Sequence, residues 1–512
     1  MKQTLLLIAV LLLSLPFLRA QSGTSGPLSW SYSDTDSVLT ISGTGAMPDY
    51  TEYYSRPWQS YYMKIKTVVI ESGVESVGAF AFNSIYYLSS VTIPSTVTSI
   101  GAHAFSSSQR LVNIPLPPSL TFIGDSAFYH CMNLAGISIP ASATSLGQGL
   151  VAYCIGLKSI SVDAGNPSYS SFEGALYNKD LSRLIAYPAG KEVTAPEFAP
   201  SVTSIASGAF NGCIKLTEIS FPASVTSIES RAIEACQQLR TISLPASNLV
   251  LAEGFVGEHC TEITSITVAE GSPSYVVVDG VLFNKDRSLL LLYPSRNMVA
   301  SSYTVPSTVE RIADYAFAGG GDATTADVAI PGSPANIYVG ESVTSIGKRA
   351  FAYRQQLDTL SIAASVVRLD YEALYAIRAN YLALYWTNPT TVLYEYGTLH
   401  QSSIRELHVP VGTEALYRAT PPWSQVTTII ADIPNSSERP SLPSFKAVAY
   451  GGQITLSGLQ GREIIRIYNI SGRLVYARSA NGPSMIIPVS SQPSGVYILQ
   501  AGREAVKLMV RN

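Results

Sequence analysis

Five cysteines, Cys131, Cys154, Cys213, Cys236 and Cys260, are the residues of this 512-residue chain best suited to holding a metal or a cross-link. No C-x-x-C pair occurs among them, so a zinc site lacks its ligand spacing. The histidines, His103, His130, His259, His400 and His408, enter no H-E-x-x-H motif. His130–Cys131 and His259–Cys260 set two ligand types side by side, on different faces of a turn, so surface histidines are expected. "GQGLVA" at Gly147–Ala152 has the outline of a dinucleotide fingerprint, but no strand–turn–helix unit surrounds it. Neither G-x-S-x-G nor a Walker A loop occurs. Two "NKD" triplets, Asn178–Asp180 and Asn284–Asp286, offer oxygen ligands, yet a calcium loop of the EF-hand type needs more of them and a closing Glu. No nucleophile, base, metal or cofactor site is nominated, and no enzyme is expected.

The elements that carry these residues explain their spacing better. "VTSIGAHAF" at Val97–Phe105 returns as "VTSIASGAF" at Val202–Phe210 and "VTSIGKRAF" at Val343–Phe351. Aligned on the last residue, copies end at Phe82, Phe105, Phe128 and Val151, then Phe210, Ile233 and Val256, then Phe317, Phe351 and Leu374. Within each series most steps are 23 residues, a period that marks a solenoid whose coils cannot enclose a core alone. In "LSSVTIPSTVTSIGAHAF", Leu88, Val91 and Ile93 form a short half-buried strand that Pro94 ends. Val97 and Ile100 follow, Gly101 permits a tight turn, and Ala104–Phe105 reads as a helical or irregular turn with its ring in the core. Phe105→Ala should cost roughly 3–5 kcal/mol. Gly147 sits in the slot of Gly101 and Gly124, which makes it a repeat glycine. Four cysteines lie three residues after an anchor and Cys260 four after, positions for small buried hydrophobes. Disulfides between neighbouring coils, Cys131–Cys154 or Cys213–Cys236, stay open because strands of adjacent coils are close.

Two longer gaps between anchors resemble each other, "NPSYSSFEGALYNKDLSRLIAYP" and "SPSYVVVDGVLFNKDRSLLLLYP". Each has apolar runs around NKD and predicts a β-hairpin inserted in the array, with the triplet at its turn. The cluster "DYTEYYSRPWQSYY" at Asp49–Tyr62 has two readings. Tyr53, Tyr54 and Trp58 form a ligand-binding patch, or the aromatics seal the open end of the array. The same pair of readings applies to "YLALYWTNPTTVLYEY" near the other end.

Hydrophobic residues make up 46% and charged residues 13%, far from a disordered composition. Net charge is −3 without a Lys/Arg cluster, which argues against nucleic acid as a partner. Lys2, the apolar run Leu5–Leu15 and the small Ala20 read as a secretory signal peptide, too short to make a comfortable transmembrane helix.

The repeats "IPSTVTSIGAHAF" and "FPASVTSIESRAIEAC" resemble the BspA-like class of leucine-rich repeats found in bacterial surface proteins. The resemblance runs from about Thr67 to Ile430. "VLTISGTGAMPDY" is similar to the lead-in of that class and "LHVPVGTEALYRATPPWSQVTTI" to its closing unit. It implies a mainly β, curved solenoid with short helical turns that binds other macromolecules or cells. After the Pro- and Ser-rich stretch 434–444, the strand-like segments of 445–512 predict a small Ig-like β-sandwich. "IRIYNISGRLVY" and "IPVSSQPSGVYILQAGREAVKLMVR" resemble the C-terminal sorting domain of the Bacteroidetes type IX secretion system. That resemblance implies a signal carried by Gly495, Val496, Tyr497, Lys507, Val510 and Arg511, on strands Ile464–Tyr468, Gly495–Leu499 and Val506–Arg511. An Ig-like binding module that stays attached is the alternative.

The expected organisation is a signal peptide at 1–20, an N-terminal β cap at 21–66, a solenoid at 67–433 with two hairpin insertions, a linker at 434–444 and a sorting domain at 445–512. The repeat anchors Phe82, Phe105, Phe128, Phe210, Phe317 and Phe351 are its expected core. The expected function is adhesion at the outer-membrane surface or outside the cell, to host matrix or cell-surface proteins or to other bacteria, after export by type IX machinery. Glycan binding with nutrient capture, or a structural surface role without a ligand, are the alternatives.

Overall fold

The structure, a computed structural model, describes residues 21–51, 55–297, 302–319 and 334–434, and in the last domain 445–450, 453–459, 463–469, 473–490, 492–493, 495–501 and 504–510. The expected signal peptide and most of the linker lie outside them. Packing divides the chain into two compact units. One runs to Leu216 and takes in Ser224–Cys236; the other comprises Thr217–Ala223 and the chain from Gln237 on.

In the first unit an antiparallel meander, Gln21–Ser25, Leu28–Ser33 and Val38–Gly43, opens the fold. Its third strand then pairs in parallel with Thr67–Ile70, which pairs with Ser90–Thr92. The cap is therefore continuous with the repeats through one sheet. A second parallel sheet joins Gly45–Ala46, Val74–Val77, Ser99–Ile100, Phe122–Ile123 and Ser145–Leu146. Ser76 faces Ser99 and Ser99 faces Phe122, each 23 residues on. One period is thus one coil, and equivalent side chains fall into columns.

The third side of each coil is neither helix nor strand. Residues two before and two after the anchor have positive φ: Phe80 and Ser84 around Phe82, His103 and Ser107 around Phe105, Ser126 and His130 around Phe128. Alternating hands turn successive N–H groups the same way. Phe80, Phe82 and Ser84 donate to the carbonyls of Ala102, Ala104 and Ser106 at 2.7–2.9 Å, and the next coil repeats the pattern. The helical option for this turn does not hold, because a third inter-coil ladder takes the hydrogen bonds a helix would keep to itself. All six anchor phenylalanines are fully buried. Their rings stack, Phe82 on Phe105 at 5.3 Å, Phe105 on Phe128 at 5.9 Å and Phe317 on Phe351 at 4.9 Å.

The last strand of each hairpin is also a solenoid strand, so each hairpin leads directly into a coil. Ala175–Asn178 and Arg183–Ala186 form the hairpin around Asn178–Asp180, Tyr169–Phe172 adds a further antiparallel strand, and Arg183–Ala186 also pairs in parallel with Ser204–Ile205 as an ordinary solenoid strand. Tyr187 occupies the anchor slot: its N–H donates to Ala209 O and its ring lies 5.4 Å from Phe210. In the second unit Leu289–Leu292 pairs with Arg311–Ile312, and Tyr293 stacks on Phe317 at 5.2 Å. The triplets do sit at the turns. Asp180 accepts from Ser182 N and Oγ, and Asn178 from Arg183 N, with Asp286 and Asn284 repeating this.

The second unit has parallel sheets of its own, Ser302–Thr304 through Ile429–Ile433 and Arg311–Ile312 through Leu393–Tyr394. Leu399 adds an anchor the alignment missed, flanked by positive φ at Gly397 and Gln401. A short helix, Glu414–Ala419, leads to a buried aromatic group in which Trp386 and Trp423 approach to 5.7 Å and Tyr417 donates to Trp386 O. Trp386 of the later aromatic stretch is thus packed inside, while Tyr396 of the same stretch is exposed. The last domain has two antiparallel sheets, of three and four strands, over one core that includes Ile454, Ile465, Ile487, Tyr497, Leu499 and Val510.

Candidate binding surface

The cysteines, expected as small buried side chains, serve the ladders. Each thiol fills the column three or four residues beyond an anchor, and none is in a disulfide. Cys131 donates to Phe105 O at 3.2 Å, Cys154 to Phe128 O at 3.0 Å and Cys236 to Phe210 O at 3.0 Å. Ser108 and Ser402 do the same to Phe82 O and Leu374 O. Where the slot holds Cys or Ser it donates to the preceding coil, as Arg354 does to Phe317 O, while Ile85 and Ile377 fill it without a donor. Gly147 is where it is because an added Cβ would lie 2.2 Å from Asp125 N of the preceding coil. Gly101 has the same cause, with Ala79 N at 2.4 Å, and not the tight turn expected of it.

His103, His130, His259 and His400 lie on the same turn, while His408 sits on strand Ser403–Pro410 beside Asp432. His103 stacks on Phe80 at 4.8 Å, and burial lowers its pKa, as it does for His130 beside Tyr129 and Tyr153. Among the described residues no set of His, Cys, Asp or Glu could hold a metal ion. In the second unit Arg349 is held between two buried carboxylates. Arg349 binds Glu258 at 2.6 Å and also Glu372, with its guanidinium 4.6 Å over the Tyr375 ring. Both carboxylates are about nine-tenths or more buried, at 6% and 5% exposure.

The ligand-binding assignment of Trp58 is corrected. Its ring is 1% exposed, stacks on Phe82 at 5.8 Å and donates from Nε1 to Ala81 O at 3.0 Å. Tyr50 N donates to Ala79 O, and Arg56 to Asn83 O and Phe80 O. The first coil has no predecessor to fill these carbonyls, so the cap supplies the donors. Tyr53 and Tyr54 lie outside the described residues. So does Arg511 at the other end; Tyr497 and Val510 are core residues, while Gly495, Val496 and Lys507 lie on strands Gly495–Ala501 and Glu504–Val510.

A groove of about 450 Å³ opens to solvent in the first unit. It is lined by Met63, Tyr86, Tyr87, Gln109, Arg110, Met132, Asn133 and Ile155. Apart from Met63 these are the fourth and fifth residues after successive anchors, so stacking alone brings them into line. Met63 and Tyr86 are 47% and 38% exposed, and Tyr62 of the cap lies 6.3 Å from Tyr86. Asn133 donates to Gln109 O at 2.8 Å, and Arg110 lies 4.7 Å over Tyr87. The size suits a ligand-sized segment, and the lining mixes adaptable methionine with rigid tyrosine. Sequence reasoning missed it because these positions differ in every coil.

The profile of the BspA type leucine-rich repeat region matches in six copies, over residues 59–177, 188–277 and 332–418, more than half the chain. The chain belongs to the BspA-type leucine-rich repeat family. Among solved structures it is similar to a leucine-rich repeat protein from Eubacterium ventriosum at 24% identity, covering 70% of this chain and 95% of that one, with a TM-score of 0.49. A leucine rich cell surface protein from Faecalibacterium prausnitzii is 18% identical, with coverages of 75% and 94% and a TM-score of 0.31. A leucine-rich repeat protein from Bacteroides ovatus is 16% identical, with 80% and 99% covered and a TM-score of 0.30. No curated protein matches this BspA-type chain.

Proposed function

We propose that this BspA-type chain is an exported adhesin, not an enzyme, whose solenoid binds proteins of host matrix, host cells or other bacteria. The groove at Met63–Ile155 carries the reading: exposed aromatic and sulfur side chains converge there. Export by type IX machinery, with 445–512 as the sorting domain, rests on the resemblance of "IRIYNISGRLVY" and "GVYILQAGREAVKLMVR". Localisation at the outer-membrane surface or in the medium follows from that route. The full chain should retain partners on an array of matrix proteins, cells and glycans, and Tyr86→Asp should abolish retention. An unchanged profile in that variant would remove the groove from the account. Fractionated native cells should hold a surface form lacking the last seventy or so residues.

Glycan binding is the second reading, favoured by one observation. Tyr371 and Tyr396, 37% and 76% exposed, stack at 6.2 Å on adjacent coils with Lys348 over Tyr371. Retention on glycans that Tyr396→Ala removes and Tyr86→Asp leaves intact would select it.

A further inference from the structure

We propose that the groove takes an extended peptide segment carrying a carboxylate among apolar side chains, with Arg110 as the residue that reads the acid. This rests on the groove being the binding surface.

Arg110 is the one charged residue in the lining, and no lining residue is acidic. It is exposed, and no described carboxylate pairs with it; its guanidinium rests instead on the Tyr87 ring. The nearby cap lysine, Lys64, is already committed to Asp34 at 3.1 Å. Stacking on tyrosine holds the guanidinium plane while leaving its edge donors unused, the geometry that suits a carboxylate's two oxygens. Electrostatic complementarity therefore asks for an anion at the middle of the groove. The apolar character on both sides, Met63 and Tyr86 towards the cap and Met132 and Ile155 beyond, asks for apolar groups flanking it.

Length decides between a small acid and a peptide. From Met63 to Ile155 the lining crosses four coil-to-coil steps, about 19 Å at the usual strand spacing. That is the reach of about six extended residues. A free amino acid or a short fatty acid would leave most of the apolar lining wet. The side of the groove also offers amide groups, with Gln109 and Asn133 between the apolar ends, for polar contact with an extended backbone.

The test titrates the full chain by calorimetry with a hexapeptide whose central Glu is flanked by apolar residues, and with the same peptide carrying Gln. The Glu peptide should bind about 10- to 100-fold tighter, the range for a hydrogen bond to a charged group. Arg110→Gln should erase the discrimination, and Arg110→Lys should keep only part of it. Added salt should weaken the Glu peptide more than the Gln peptide. Arg110 is exposed, so melting curves of these variants should overlay the wild type. Equal affinity for the two peptides overturns the proposal, as does discrimination that survives in Arg110→Gln. So does displacement of bound partners by a neutral oligosaccharide but not by the Glu peptide. If Tyr86→Asp abolishes partner retention and Arg110→Gln leaves it intact, the carboxylate inference fails while the groove stays the binding surface. If neither variant matters and the peptides bind equally, both fail.

Discussion

A thiol three residues past an anchor is a hydrogen-bond donor sealed among apolar neighbours, and the seal governs its acidity. Burial pushes Cys131 up to about 12, and Cys154 well above its ordinary value of 9.0. In the unfolded chain both would lose protons from near pH 9. Between pH 9 and 12 the native state then holds more protons than the unfolded one, so stability falls as pH rises, by about 1.4 kcal/mol per pH unit for each thiol. Buried tyrosines such as Tyr293, raised by burial to about 12, add to the loss above pH 10. The urea midpoint should therefore decline from pH 9, and Cys131→Ser with Cys154→Ser should flatten the decline between pH 9 and 10. Serine keeps the donor, as Ser108 and Ser402 do, so the double variant should fold normally at pH 7. A slope untouched by the double variant would mean the thiols are not the titrating groups.

At the level of the coil, two glycines separate close approach from backbone hand. Gly147→Ala places a Cβ 2.2 Å from Asp125 N and 2.4 Å from Gly124 C, so two coils must part. Overpacking of this kind costs about 1–3 kcal/mol or more. Gly208→Ala meets nothing within 4 Å and pays only for φ of +71°, about 1–2 kcal/mol less any gain from a stiffer unfolded chain. Denaturant midpoints should rank Gly147→Ala below Gly208→Ala. Tyr187→Ala should destabilise as much as Phe210→Ala, about 3–5 kcal/mol, since both rings stand in one stack. If the hairpin were a mere insertion, Tyr187→Ala would be nearly silent. The 23-residue step was legible because parallel register forces like residues into one column. The hairpin coils hid behind their length: Tyr187 stands 23 residues before Phe210 but 36 after Val151. The left-handed ladder left few marks, since Phe80, His103 and Ser126 hold positive φ without being glycine. The groove left none, because Tyr86, Gln109, Met132 and Ile155 share a column but no chemistry.

For the molecule as a whole, an array in which each coil satisfies its neighbour must fail from its ends. The first coil shows the principle in its carbonyls: Ala79, Ala81 and Asn83 accept from Tyr50, Trp58 and Arg56, three donors the cap lends to a ladder without a preceding coil. Removing one leaves a buried acceptor unfilled, at about 1–3 kcal/mol. Because stability in repeat arrays is close to a sum of nearest-neighbour terms, that loss should be felt locally and fade inward. Arg56→Met keeps bulk but loses both carbonyl contacts. Hydrogen exchange read by mass spectrometry should show protection falling most over residues 79–84, less over 102–107 and little over 126–130. Trp58→Phe, which keeps a ring against Phe82 but drops the Nε1 donor, should give the same gradient with smaller amplitude. A uniform loss along the whole first unit would instead mean that its coils unfold as one block, and that the cap acts through global stability, not by closing an open ladder.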